Sequence, residues 1–432
     1  MATEPGGARA ASAVHRVVIA GASVGGCHAA EQLRALGFAG RITLVGAESH
    51  LPYDRPPLSK QVLLGTRSPS EVELLSAAQL DGLGIEVRLG SAATGWNGRD
   101  LALADGSSVS ADRLIVATGV RPRALPGQPE HPAVGTLRTV DDAEWLAGRL
   151  RRGGTLAVVG GGFIGAEVAS AARTLGCDVV VLEATVLPMQ RVLGADAALL
   201  LREVLDAAGV DFRGGVTVQA IEPRADAVTI RLSTVTGSAS VRADTVVVGI
   251  GSQPQCSWLG VDDPQGIHCD DRGRALAVPN AYAIGDVAAW PDGATGTTVR
   301  TEHWTNARTQ AAAVAADIVG AAAPADGPHY FWTDQFGLKI QVVGRPELAD
   351  ATHVTRPPDG NVKKSVVLYL RDDVVVGVAL FSAARHLTSA VDVVRFGLHR
   401  EAALEALALA VPSADLVREP GEPTVGTRAA AP

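Results

Sequence analysis

Two stretches of the chain carry the same order of apolar and polar positions. "RVVIAGASVGGCHAAEQLRALG" opens on an unbroken apolar run, turns on glycines and enters a helix of amphipathic spacing. "TLAVVGGGFIGAEVASAARTLG" repeats that order, with Ile164, Val168, Ala171 and Leu175 marking one face of its helix. A second apolar run follows each helix, in "RITLVGAE" and "DVVVLEA". Strands covered on both faces read as continuous apolar runs, so each stretch predicts a βαβ unit of a parallel sheet. "TVVVGIG", Thr245 to Gly251, predicts a further buried strand, and "VPNAYAIGDVAAW" a strand ending on an aspartate. From Pro328 the pattern changes to the strands "LKIQVVG", "SVVLYLR" and "VVVGVALF", which predict a separate α+β domain reaching about residue 412. Residues 1–13 and 413–432 read as flexible tails.

Composition narrows the class. A chain of 432 residues with 47% hydrophobic content holds two or three domains with sizeable cores. The formal net charge is −8 and no dense basic run occurs, which argues against nucleic acid as a partner. No apolar run reaches the roughly 18 residues that span a bilayer; the stretch around Ala311 to Ala323 is broken by Asp317. The N-terminus has no signal-type apolar core with a cleavage site. A soluble cytoplasmic protein without a membrane partner is expected. Cys27, Cys177, Cys256 and Cys269 form no C-x-x-C pair and match no common zinc or iron–sulfur spacing, so no metal site is expected. Cys27, on a helix beside a glycine turn, reads as a packed residue.

The glycine turns carry the chemistry. One G-x-G-x-x-G is a common structural joint, whereas two, each inside a βαβ unit, point to two dinucleotides. Gly160, Gly162 and Gly165 fill all three positions of the second turn. Glycine there permits the tight turn, the approach of backbone to a pyrophosphate and close helix–strand packing, and the helix N-terminus offers free N–H groups to phosphate. Glu183 ends the next strand, where a carboxylate accepts from both adenine-ribose hydroxyls and repels a 2′-phosphate; NADH is favoured over NADPH. In the first turn, "GASVGG", Gly21, Gly25 and Gly26 remain while Ser23 replaces the second glycine. The acid of that unit is Glu48, unless the neighbouring Ala47 takes the register. Lys60 is the only lysine before Lys339 in a chain otherwise rich in arginine, which singles out a compact ammonium.

Both turns, "RPPLSK", "ATGVRPR", "YAIGDV" and "EHWTNA" in this order make the chain resemble a known family. It is similar to the FAD-dependent NADH:ferredoxin reductases of bacterial oxygenase and haem-monooxygenase systems, the putidaredoxin reductase and rhodocoxin reductase type. The resemblance runs from about residue 14 to residue 400 and includes "FWTDQFGLKIQVVG". It implies an α/β fold of two Rossmann-like domains plus a small α+β C-terminal reductase domain. The FAD domain would comprise 14–120 and 248–325, the NAD domain 121–247 and the reductase domain 326–412.

The resemblance also implies roles. Gly21, Ser23, Gly25, Gly26, Glu48, Arg55, Lys60, Ala93, Arg138, Asp286 and Trp304 would contact FAD. Gly160, Gly162, Ile164, Gly165, Glu183, Arg191, Gly251 and Glu302 would contact NAD. Lys60 and Glu167 would be the catalytic pair. Glu167 reads equally as an acid favoured by the dipole of a first helical turn, and Arg191 as a surface residue. Trp332 resembles a family tryptophan near the flavin edge, and aromatic packing accounts for it as well.

"LPYDRPPLSK", residues 51 to 60, then acquires a meaning. Relatives that reduce disulfides or oxygen place a cysteine in this region, and no cysteine lies between Cys27 and Cys177. The resemblance implies hydride transfer from NADH to FAD and release of single electrons to an iron–sulfur ferredoxin with an acidic docking face, met by arginines and lysines such as Arg308 and Lys339. The other readings are a rubredoxin or nitrite-reductase type NADH reductase of the same fold, and an NADH-responsive flavoprotein sensor.

Overall fold

A computed structural model describes residues 14–325 and 327–409; the two tails and the end of the third domain lie outside them. The described chain divides into two compact units. The first is built from the chain up to Asp54, Glu73–Arg121 and Gln253–Ala325, the second from Arg55–Val72, Pro122–Ser252 and the chain from Asp326 onward.

A five-stranded sheet centres the first unit, in the order Ala281–Ala283, Arg113–Val116, Arg16–Ala20, Arg41–Val45, Ile85–Arg88. Every pair is parallel. Val17 and Ile19 pack on one side with Leu33, Ala311 and Val314 of the helices Val24–Ala35 and Trp304–Val319. Val18 and Ala20 pack on the other with Leu101 and Leu103 of a small antiparallel sheet. Burial on both faces explains the unbroken apolar run. The strand expected to end on Asp286 stops at Ala283, because Gly285 adopts φ 70° and opens a 3₁₀ turn, Gly285–Val287, that holds the aspartate.

The second unit contains a parallel sheet in the order Asp211–Arg213, Asp178–Leu182, Thr155–Val159, Thr245–Val248, Val134–Gly135. Its helix Phe163–Thr174 buries Gly165, Val168, Ala169 and Ala172. The expected face was partly wrong: Ile164 is 41% exposed and Leu175 caps the helix end. Small residues on the buried side let the helix sit close to the sheet, and the larger Ile164 is directed outward. The unit also holds an antiparallel sheet of Tyr330–Gln335, Leu338–Gly344, Val374–Phe381, Val366–Arg371 and Ala351–Thr355, in that order. Helices Leu387–Phe396 and Arg400–Ala406 contribute Ala390, Val393 and Leu404 to its core.

In the first unit Asp317, the residue that interrupts an apolar helix, accepts hydrogen bonds from Tyr282 (2.8 Å) and Arg274 (2.9 and 3.0 Å) and pairs with Arg272. Burial alone would raise its carboxyl pKa, but the bonds from Tyr282 and the two arginines outweigh it and hold the value below the usual carboxylate range. A carboxylate depressed in the folded state contributes stability above its unfolded pKa, and that contribution is lost as pH falls through the folded value. Asp317→Asn should therefore lower stability at pH 7 by roughly 1–3 kcal/mol and flatten the acid limb below about pH 4. Urea denaturation at a series of pH values checks both. An unchanged acid limb would remove Asp317 from that role.

Candidate functional site

The two glycine turns are built alike. Gly21 (φ 120°) and Gly160 (φ 104°) close each first strand, and each backs onto a carbonyl at the end of the adjoining strand. A Cβ on Gly21 would lie 2.1 Å from the Ala117 oxygen, and one on Gly160 would lie 2.3 Å from the Gly249 oxygen. The last glycine folds back on the first: a Cβ at Gly26 would reach 1.9 Å from the Gly21 oxygen, and one at Gly165 would reach 2.0 Å from the Gly160 oxygen. Side chains are excluded at these four positions. The middle position differs. Ser23 (φ −134°, ψ −164°) and Gly162 (φ −81°, ψ −165°) are both extended N-cap residues, conformations open to any residue, so serine leaves the first turn intact. Gly25 is less constrained, since a Cβ there would meet Ile284 at 3.5 Å. Neither helix has a side-chain cap on its first N–H groups, the arrangement that receives phosphate oxygens. Both turns fit the pyrophosphate of a dinucleotide.

In the first unit Glu48 accepts a hydrogen bond from the Tyr53 hydroxyl. Ala93 opens the strand Ala93–Trp96, and the Asp286 carbonyl accepts from Arg300 Nη1 at 3.0 Å. Glu302 pairs with the same Arg300 guanidinium at 2.5 Å. Trp304 starts its helix and donates from Nε1 to Asp54 at 2.8 Å, while the Arg308 guanidinium lies 4.8 Å from its ring centroid.

In the second unit a cleft of about 310 Å³ opens on the Gly160 turn. Gly160, Gly162, Glu183, Arg191 and Gly251 all line it. Sequence reasoning missed Thr185 and Gln190, two further linings with no motif of their own. Glu183 does more than face the cleft: its carboxylate accepts from Gly161 N at 2.5 Å and from Thr185 N and Oγ1 at 2.9 and 3.0 Å. It therefore pins the glycine turn while retaining lone pairs for a ligand.

Elsewhere in that unit Lys60 and Glu167 form a buried ion pair of 2.7 Å, their side chains 12% and 5% exposed. Pro56–Ser59 forms a short 3₁₀ turn, and Lys60 Nζ also donates to the Pro56 carbonyl at 3.1 Å. Glu167 accepts from Ser59 Oγ at 2.5 Å and from Thr333 Oγ1 at 2.7 Å. Lying five residues into a helix that begins at Phe163, it is beyond the first turn, and its place is explained by this buried cluster rather than by the helix dipole. Removing one partner of a buried, hydrogen-bonded pair typically costs about 3–5 kcal/mol, so the pair is a fixed feature of the unit. Ser59 and Thr333 had no signal in the sequence. Arg55 donates from Nη1 to the Arg138 carbonyl at 2.6 Å, and the Arg138 N–H donates to Asp142 at 2.9 Å. Trp332 stacks on Tyr330 with ring centroids 5.9 Å apart.

The four cysteines are unpaired and buried. Burial, with a smaller contribution from Glu31, pushes the Cys27 thiol up to about 12, and burial pushes Cys269 to about 12. Burial also raises Cys177 and Cys256. None has the thiolate character that redox chemistry requires.

Two strand–turn–helix units with excluded side chains, each followed by an acid on the next strand, define a protein that handles two dinucleotides. The pyridine nucleotide-disulphide oxidoreductase family profile matches residues 15–311, and the reductase C-terminal profile matches residues 330–418. The chain is 36% identical to the ferredoxin–NAD(+) reductase component of the p-cumate 2,3-dioxygenase system of Pseudomonas putida, over 87% of this chain and 92% of that protein. It is 36% identical to a rubredoxin–NAD(+) reductase of Pseudomonas putida, over 76% of this chain and 86% of that one. Among solved structures, the covalent putidaredoxin reductase–putidaredoxin complex superposes with a TM-score of 0.84 at 29% identity, covering 91% and 96% of the two chains. The chain belongs to the pyridine nucleotide-disulphide oxidoreductase family, in its branch of ferredoxin–NAD(+) reductases with a reductase C-terminal domain. It is an NADH-dependent flavoprotein oxidoreductase with FAD as cofactor.

The sealed thiols generate a prediction. A variant with Cys177, Cys256 and Cys269 changed to serine and Cys27 to alanine should keep its FAD and more than about half of its NADH-dependent turnover. Alanine is chosen at Cys27 because a hydroxyl buried there without a partner costs about 1–3 kcal/mol. Flavin absorbance and steady-state NADH oxidation check this. Full flavin occupancy with turnover lost would reveal a thiol relay.

Proposed function

We propose that the protein takes a hydride from NADH and passes single electrons to a ferredoxin that feeds a monooxygenase or dioxygenase. The observation that carries this reading is the burial of all four cysteines. A member of this family without an accessible thiol has no disulfide through which to pass an electron pair, which leaves direct transfer to a one-electron carrier. Bound FAD supplies that chemistry, because it accepts electrons in pairs and releases them singly.

The chain's own residues then divide the work. The turn Gly21–Gly26 and the helix N-terminus after it bind the FAD pyrophosphate, Glu48 accepts from its adenine ribose, and Asp286, Ala93 and Trp304 complete the first unit's contribution. In the second unit the turn Gly160–Gly165 binds the NADH pyrophosphate, Glu183 selects the unphosphorylated ribose and Arg191 meets the phosphates. Lys60 supplies a positive charge that stabilises the reduced cofactor, and Glu167, Ser59 and Thr333 hold it in place. The partner ferredoxin presents an acidic face, so transfer slows with added salt. A rubredoxin, named as the partner of one relative, is the second reading. NADH-driven cytochrome c reduction in the presence of each purified carrier separates the two. Turnover with rubredoxin alone, or with no carrier at all, would overturn the proposal.

Two further outcomes are expected. Glu183→Ala should lower kcat/KM for NADH by an amount corresponding to about 1–3 kcal/mol and narrow the NADH/NADPH preference. Initial rates with both nucleotides check it, and an unchanged ratio would displace Glu183 from the ribose. Lys60→Met should slow flavin reduction by about tenfold or more, whereas Lys363→Met should leave it unchanged. Stopped-flow flavin absorbance, with occupancy measured alongside, compares them. Equal rates would make Lys60 a structural residue.

A further inference from the structure

The cleft in the second unit is bounded on one side by a segment with irregular backbone. Met189 (φ 53°) precedes the helix Gln190–Ala207, and Gly194 (φ 71°, ψ 176°) kinks it. Between these two points lie Gln190, Arg191 and Val192, which line the cleft. Met189 N donates to the Gly161 carbonyl at 3.1 Å, which ties the segment to the glycine turn.

Both irregular points are held by side chains of the C-terminal antiparallel sheet. At the kink, the Tyr369 hydroxyl donates to the Leu193 carbonyl at 2.6 Å, and its ring lies 3.8 Å from where a Gly194 Cβ would stand. Tyr369 is 1% exposed, and burial followed by the charge of Asp196 raises its pKa, so it remains a donor at any working pH. At the other end, Gln335 Nε2 donates to Met189 Sδ at 3.6 Å and to Thr333 Oγ1 at 3.3 Å. Thr333 in turn donates to Glu167, the partner of Lys60. Gln335 is 2% exposed, a position where an apolar side chain would avoid the cost of burying an amide. Two more contacts fall on the same helix beyond the kink: Thr352 donates to Asp196, and Arg356 to Glu203 at 3.0 and 2.9 Å. Neither acid lines the cleft.

We propose that Tyr369 and Gln335 are positioning residues for the nucleotide. By fixing the two ends of Met189–Gly194 they hold Arg191 toward the cleft, so the C-terminal sheet sets the affinity for NADH. Gln335 also connects that segment to the Lys60–Glu167 pair through Thr333. The inference rests on the reading of this cleft as the NADH site.

The test is calorimetric titration of NAD(+) into the FAD-loaded protein and its variants Tyr369→Phe, Gln335→Met, Thr352→Val and Glu183→Ala, with KM for NADH measured in parallel. Tyr369→Phe and Gln335→Met should each weaken NAD(+) binding by about three- to tenfold, the effect of losing one buried hydrogen bond, with KM rising by the same factor. Thr352→Val loses a contact of the same kind outside the cleft and should bind as the parent does. Parent-like affinity in both Tyr369→Phe and Gln335→Met would overturn the proposal. So would equal weakening by Thr352→Val, since the sheet would then act only by general stabilisation. If Tyr369→Phe does not fold, Gln335→Met decides on the same criteria. Unchanged binding in Glu183→Ala would instead refute the cleft as the NADH site, and the proposal would fall with it.

Discussion

Each dinucleotide turn depends on one contact: a glycine at the end of the first strand pressed against the carbonyl that ends its neighbour. Gly21 meets Ala117 and Gly160 meets Gly249, both at separations that leave no room for a Cβ. The positive φ of these glycines turns the chain at once into the helix, and Gly26 and Gly165 then close on the carbonyls of Gly21 and Gly160. Strand end, turn and helix start are thereby fixed as one rigid piece. Any group bound to the helix N-terminus inherits that rigidity, which matters where two reacting centres must be aligned. Everything downstream, including the acids Glu48 and Glu183 on the next strands, is placed relative to this joint.

The second unit adds a different kind of constraint, a buried charge. Lys60 and Glu167 come from distant parts of the chain, and Ser59 and Thr333 satisfy the remaining lone pairs of the carboxylate. A buried pair contributes little net stability when compared with an apolar substitute, yet it is costly to break. Such a pair is retained where a charge is needed at a defined point. The desolvated setting also strengthens whatever electrostatic effect the ammonium exerts.

The parts of this molecule that were legible in the sequence are those whose information is local. An apolar run, a glycine turn and an amphipathic helix lie side by side in "TLAVVGGGFIGAEVASAARTLG", so the βαβ unit and its acid Glu183 could be read directly. Ser23 looked like a departure and proved harmless, because the middle position requires only extended backbone. Other features have no local signature. Thr333 reaches Glu167 across 166 positions of sequence, and Tyr369 reaches Leu193 across 176, so neither carries a spacing that a motif could record. The helical face drawn through Ile164 erred for a related reason. Periodicity weighs hydrophobicity, whereas the sheet selected the small residues Gly165, Ala169 and Ala172 for close approach.

The distribution of lysines has a practical side. Lys60 is sealed against Glu167, while Lys339, Lys363 and Lys364 stand exposed on the C-terminal antiparallel sheet and its connections. Amine-directed reagents would therefore find their lysine targets on one part of the chain. An activated-ester dye or an aldehyde-coated electrode would report on, or grip, the C-terminal sheet and leave both glycine turns unmodified, which makes the enzyme suited to oriented attachment through lysine.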